Sequence, residues 1–284
     1  MLTAALVSRP CLLANRALHA GLAAAMLMLC GCNSDHLDIP PPTGAPAPAP
    51  KDVSAKVASD IGDKERAASD PAGAVAFYRR ALAIDPAQPK VRLSLAKALA
   101  EAGAPNDAAD MFRQVLAAEP KNAEAQIGLG AALVQLGQPA QAIEPLRKGL
   151  AATPEPRGYR ALGIAENLTG DNPAAEADYR KGLALAPNDQ ALRSNLGLSL
   201  ALSGKFDDAI AILRAAAAAP DATAKTRGNL ALALGLAGRP DEAAQVARTD
   251  LDEQSVQNNL TFYAQLRAMP PGQRADTLLR PAGK

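Results

Sequence analysis

The sequence predicts an all-α solenoid of about six stacked helix pairs closed by a C-terminal helix. Three observations predict it. Alanine and leucine dominate, aromatics are only 3% and β-branched runs are few, which favours helices over strands. Gly103, Gly137, Gly170, Gly204 and Gly238 fall 34, 33, 34 and 34 residues apart, each between two helical patterns where a residue with positive φ ends the first helix. Pro86, Pro120, Pro154, Pro187 and Pro220 close successive units after the second helix.

The amino-terminal segment reads differently. Arg9 and Arg16 precede "ALHAGLAAAMLML", a basic start followed by about a dozen apolar residues, which is the pattern of a secretory signal and short for a transmembrane helix. Next comes "LCGCNSD". The stretch Leu29-Cys30-Gly31-Cys32 resembles a bacterial lipoprotein lipobox, with Leu29 at −3, small Gly31 at −1 and Cys32 as the residue to be lipidated. Taking Cys30 instead would put bulky Leu29 at the cleavage position. A Cys-x-Cys disulfide would close a small strained ring, and a zinc site would need ligands beyond nearby His36. Residues 1–31 are therefore assigned as a signal peptide. Its removal discards Arg9 and Arg16, and the 30 basic residues fall to 28 against 29 acidic ones, a net charge of −1. From lipoprotein families, Asn33 after the cysteine implies no inner-membrane retention, hence the outer membrane.

Residues 32–54 form the lipidated cysteine and a Pro/Ala-rich tether. "DIPPPTGAPAPAPKD" favours polyproline II and cannot build a core. Roughly 20 such residues at about 3.1 Å each reach some 60 Å from a membrane.

Residues 55–254 are the periodic part. Units start near 55, 89, 123, 156, 190 and 224. Small residues recur in the second helix of each, at Ala74, Ala108, Ala142, Ala175, Ala209 and Ala243, where they let neighbouring helices approach closely. The first helix carries Leu129-Gly130, Leu162-Gly163 and Leu196-Gly197, weakened to Leu95-Ala96 and Leu230-Ala231. With the turn glycines and closing prolines, these units resemble the tetratricopeptide repeat. The family's early Trp is absent throughout, and only Tyr159 is aromatic at that place. The resemblance implies a right-handed tetratricopeptide-repeat solenoid, in which stacking buries the apolar faces that single pairs leave open.

Catalytic chemistry has little to stand on. Both histidines and all three cysteines lie within the first 36 residues, so Ser-His, Cys-His and His-ligated metal sites are excluded from the repeats. A net charge of +1 gives no basic excess for nucleic acid. The pairs Asp207-Asp208 and Asp241-Glu242 fall at the start of second helices, where acids complement the macrodipole and cap amides. Gly197-Leu198-Ser199 and Gly128-Leu129-Gly130 lie inside helices and lack the partners of a nucleophile elbow or a phosphate loop. The sequence predicts no catalytic residue, metal ligand or cofactor.

Tetratricopeptide arrays turn the first helix of each pair toward a concave groove. That geometry implies a groove lined early by Lys90 and Lys97, then by Arg157, Arg160, Ile164 and Asn167, and later by Asn195, Leu198, Leu202, Asn229, Leu232 and Leu236. Asparagines there would bond a partner's backbone while leucines take its side chains. The pattern of chaperone carboxylate clamps is not reproduced.

Residues 255–270 predict a capping helix. Leu260, Tyr263 and Leu266, joined by Phe262 and Met269, recur on one helical face, and Pro270-Pro271 stops the helix. Residues 271–284 are expected to be a loosely held, flexible tail. The end of the array, with Asn258-Asn259-Leu260 and then Tyr263, resembles the TadD-type lipoproteins of tight-adherence (Flp) pilus assembly. That resemblance implies an outer-membrane protein on the periplasmic face that assists assembly of the pilus secretin. Its partners would be the secretin or other envelope proteins, and the membrane through the lipid anchor. An adaptor lipoprotein that recruits peptidoglycan hydrolases is the alternative.

Lipidation is directly measurable. Cells fed a clickable fatty acid are expected to label the wild-type chain and the Cys30→Ala variant, and to leave Cys32→Ala unlabelled. Equal label on Cys32→Ala contradicts the assignment.

Overall fold

The computed structural model describes residues 54–270, 273–274 and 277–278. The expected signal peptide, Cys32 and nearly all of the expected tether lie outside the described residues, as does most of the expected tail. The described residues form an all-α fold of thirteen helices with no strand. They fall into two compact units that divide between Leu192 and Arg193.

The first unit holds α1 (Ala55–Ala67), α2 (Pro71–Ile84), α3 (Pro89–Glu101), α4 (Pro105–Ala118), α5 (Ala123–Gln135), α6 (Pro139–Ala152), α7 (Pro156–Thr169) and α8 (Asn172–Leu185). It ends in the first residues of α9 (Gln190–Leu202). From α1 to α8 each helix packs on the next, and first helices also touch one another, α3 on α5 and α5 on α7. The second unit holds the rest of α9, then α10 (Phe206–Ala217), α11 (Ala224–Leu236), α12 (Pro240–Ala247) and α13 (Glu253–Ala268).

Local chemistry sets the helix ends. Gly103, Gly137, Gly170, Gly204 and Gly238 all have positive φ, from 68 to 91°, as the glycine spacing requires. Ser69, 34 residues before Gly103, takes the same turn with φ 63° although it carries a β-carbon. Second helices begin on proline at Pro71, Pro105, Pro139 and Pro240, where the missing amide costs nothing. Side-chain caps close several starts: Asp70, Asn122, Asp171, Thr223 and Asp252 each accept the amide three residues on, at 2.7 to 3.2 Å. The acid pairs do occupy first turns, Asp207 and Asp208 in α10, Asp241 and Glu242 in α12. They do not cap, because the N-cap residues are Lys205 and Arg239, neither of which makes a side-chain cap bond.

The core follows one register. The six small residues expected in the second helices, Ala74 through Ala243, are fully buried. A small residue in each first helix is followed sixteen positions later by a side chain of the second: Gly62 and Tyr78, Ala96 and Phe112, Gly130 and Leu146, Gly163 and Tyr179, Gly197 and Leu213. At four of these five the fit is tight enough that a β-carbon on the glycine would meet the facing side chain. On Gly62 it would stand 2.8 Å from the Tyr78 ring, and on Gly163 2.5 Å from that of Tyr179. The sixth pair is Ala231 and Ala247, with no bulky member, and α12 ends at Ala247.

Helix α13 packs on α11 and α12. It buries Val256, Phe262, Tyr263 and Leu266, while Leu260 is half-buried. Tyr263 lies over Gly235 of α11, close enough to exclude a β-carbon there. Met269, held extended before Pro270, ends the helix. Four residues of the segment expected to be a tail are described beyond it. Arg274 donates to the carbonyls of Leu266, Arg267 and Met269 at 3.0 to 3.3 Å, and Leu278 is buried. The guanidinium closes the carbonyl end of α13, a role that the spacing of apolar residues could not disclose. Among the described residues no helix is long and apolar enough to cross a membrane.

Candidate interaction surface

In the first unit, the residues expected to line the groove keep some access to solvent. Lys90 and Arg157 are exposed, and Arg160 and Ile164 are half-buried on α7. Lys97 is tied to Glu124 of the next first helix. Asn167 points to a different role. It is buried, and its amide donates to the Tyr179 hydroxyl at 3.1 Å. It thereby satisfies a phenol that burial would otherwise leave alone.

In the second unit the residues expected to line the groove are buried. Asn195, Leu198, Leu202, Asn229, Leu232 and Leu236 are all buried, Leu202 and Leu236 at 1% exposure. Asn229 donates to Ser194 Oγ at 3.0 Å, so its amide serves contact between α11 and α9 rather than a partner's backbone. Register along the repeat places these six residues on the concave side, but it does not tell what else lies against that side.

Two further features of the first unit have no signature in the sequence. One is a cleft of about 390 Å³ between α4, α5 and α6, lined by Arg113, Leu116, Leu129, Leu133, Glu144 and Lys148 among others. The other is a buried polar cluster. Glu166, in α7, is 1% exposed, and Arg147 of α6 donates to its Oε1 at 2.7 Å. Its Oε2 has no donor. Burial first, then the buried Asp178 carboxylate, push Glu166 up to about 7, against the pull of Arg147. A proton on Glu166 would relieve both the missing donor and the repulsion. Lys181 holds Asp178 at 2.6 Å, and its ammonium also lies 5.8 Å from the centre of the Tyr159 ring. The Tyr179 phenol is pushed well above its ordinary value by burial. Nothing in this cluster is a nucleophile facing an open cavity, so it reads as a structural network with a titrating member. Among the described residues no three His, Cys, Asp or Glu side chains converge to hold a metal.

Helix pairs of this length, stacked with a glycine-paired register and presenting first-helix side chains on one side, define an all-helical repeat protein whose surfaces serve other proteins. Models of the tetratricopeptide repeat match residues 65–109, 99–163, 160–224 and 224–249, nearly the whole helical array. The chain belongs to the tetratricopeptide-repeat family. No curated protein matches it. Among solved structures, a MamA protein aligns at 27% identity with a TM-score of 0.51, over 57% of this chain and 90% of that one. PilW, described as a widely conserved type IV pilus biogenesis factor, aligns at 23% identity and 0.60, over 72% and 98%. Cut9–Hcn1 of the APC/C aligns at 18% and 0.62, over 74% and 43%. In all, 249 solved chains match, so the likeness establishes the architecture and selects no ligand.

Glu166 supplies a pH test. Its carboxyl takes a proton more readily in the folded chain than at the ordinary value of 4.5, so its contribution to stability falls as pH rises from about 4.5 to about 7 and is flat above. Glu166→Gln keeps the shape and can donate to Asp178. The variant is expected to melt higher than wild type at pH 8, with the difference shrinking toward pH 5. A difference independent of pH contradicts the assignment of the proton to Glu166.

Proposed function

We propose that this tetratricopeptide-repeat scaffold works at the periplasmic face of a bacterial outer membrane. There it is anchored through lipid on Cys32 and assists assembly of the secretin through which a tight-adherence pilus passes. The observation that carries this reading is the closing segment. Asn258, Asn259, Leu260 and Tyr263 follow the last repeat in the pattern of TadD-type lipoproteins, in a chain that also begins with a lipobox and a Pro/Ala tether. Tyr263 and Leu260 contribute to the helix that covers the last repeat, so that part of the resemblance falls on residues with a packing role. Two acyl chains or more hold a protein on a membrane stably, and the tether lets the repeats work away from the surface.

The first unit offers the accessible binding side chains. Arg160 and Ile164 of α7 are half-buried, with Arg157 exposed one turn earlier. An apolar side chain beside two cations suits a segment that is itself amphipathic and acidic.

A photo-cross-linking residue placed at Ile164 in cells making the pilus is expected to capture the secretin subunit, with Lys90 as the comparison position. Capture of peptidoglycan hydrolases in its place supports the adaptor reading and contradicts the secretin role.

A further inference from the structure

The cleft between α4, α5 and α6 uses a different face of α5 from the groove. Leu129 and Leu133 line it, on either side of Ala131, which is the counterpart of Ile164 one repeat earlier. Positions two apart on a helix point about 200° apart, so the cleft lies away from the groove side. Its apolar part is Leu133, which is buried, with Leu116, Leu129 and Pro145, which are half-buried. Its charged part is exposed, with Arg113 on α4 and Glu144 and Lys148 on α6. Glu144 and Lys148 pair with each other at 2.6 Å, so Arg113 sets the sign of the cleft.

The other repeats show what Arg113 lacks. Arg79, Arg113 and Arg214 each stand five residues after the buried alanine of their second helix, Ala74, Ala108 and Ala209. Arg79 bridges from α2 to Asp107 of α4 at 3.2 Å, and Arg214 from α10 to Glu242 of α12. In both cases the acid lies 28 residues after the arginine. The same step from Arg113 reaches Gln141 of α6, an exposed residue with no charge, which also lines the cleft. Arg113 turns instead to Asp110 of its own helix at 2.8 Å. Asp110 is 66% exposed, and an exposed pair one turn apart adds little, so an incoming carboxylate can displace it. A second unmet group stands in the same wall. Pro145 sits inside α6 and has no amide, so the Gln141 carbonyl one turn earlier lacks the donor that the helix pattern would give it.

We infer that this cleft is a docking site for an extended segment of a partner protein in which an acidic residue stands beside an apolar one. The acid gives Arg113 the carboxylate that Asp107 and Glu242 give its counterparts, and the apolar side chain lies over Leu116, Leu129 and Leu133. The segment is extended because a helix has already used its own amides, whereas an extended backbone keeps one for the Gln141 carbonyl. At about 390 Å³ the cleft takes a short stretch of chain. The inference deepens the scaffold reading and rests on it, but it needs neither a secretin nor the surface around Ile164, so each can fail without the other.

The probe is a displayed library of random linear peptides, selected on the full chain. Selected peptides are expected to carry Asp or Glu beside Leu, Ile, Met or Phe. Gln141→Glu supplies Arg113 in cis with the acid of the other repeats, at an exposed position, and is expected to weaken these peptides at least about tenfold in anisotropy titrations. Arg113→Gln removes the cation and is expected to do the same. Ile164→Glu, on the groove side, is expected to leave binding within about twofold of wild type. Peptides that bind Gln141→Glu and Arg113→Gln as they bind wild type overturn the inference, as does a selection that yields no acid beside an apolar residue. Peptides lost on Ile164→Glu alone assign binding to the groove and overturn it as well.

Discussion

The fold depends on a small residue in five of its six first helices lying under a large side chain of the second. The pair recurs sixteen residues apart, from Gly62 and Tyr78 to Gly197 and Leu213, and it sets how closely two helices can approach. The fully buried alanines of the second helices do the same from the other side. With so few aromatics, the chain cannot fill wide gaps, and close approach is how it reaches interior density. Where the pattern lapses, at Ala231 and Ala247, the second helix shortens to eight residues and α13 brings Tyr263 and Leu266 to the same end of the array.

Polar groups inside such a stack carry consequences that the apolar ones do not. The Asn167–Tyr179 and Asn229–Ser194 bonds satisfy groups that close packing has cut off from water. Glu166 is only partly satisfied, since one oxygen is bonded to Arg147 and the other has no donor. A buried carboxyl in that condition favours its protonated form, which ties this part of the array to pH near neutrality. Salt bridges on the surface, such as Lys148 with Glu144 at 2.6 Å, are exposed and add little.

Periodicity made the fold legible. Five glycines in register and five closing prolines needed no three-dimensional information, because each acts on its own backbone. The closing helix was legible too, although Val256 joins its buried face and Leu260 is only half-buried, since facing residues and not spacing alone decide burial. The interaction surface was legible only in part. Arg160 and Ile164 keep their access to solvent while Asn229 and Leu202 are buried, because a residue's position along a repeat does not say what packs against it. Arg274 belongs to a stretch with no periodic pattern, and its anchoring rests on carbonyls at the end of α13. The Glu166 cluster was invisible for the same reason: Arg147 and Asp178 meet it from different helices.

The central claim is that close approach at the small positions holds the helix pairs together, and Gly163 offers the sharpest reading of it. In a helix, replacing glycine with alanine stabilises by about 1 kcal/mol through backbone propensity alone. Here a β-carbon would stand 2.5 to 2.8 Å from three atoms of the Tyr179 ring, well inside the roughly 3.5–4.0 Å of ordinary carbon contact. That ring is buried and its hydroxyl is held by Asn167, so it has little room to yield. The measurement is the unfolding free energy of Gly163→Ala by chemical denaturation, in the wild-type chain and in a Tyr179→Leu background. The account predicts a loss of about 1–3 kcal/mol in the first and little or no loss in the second. A gain in stability from Gly163→Ala in the wild-type chain would contradict it.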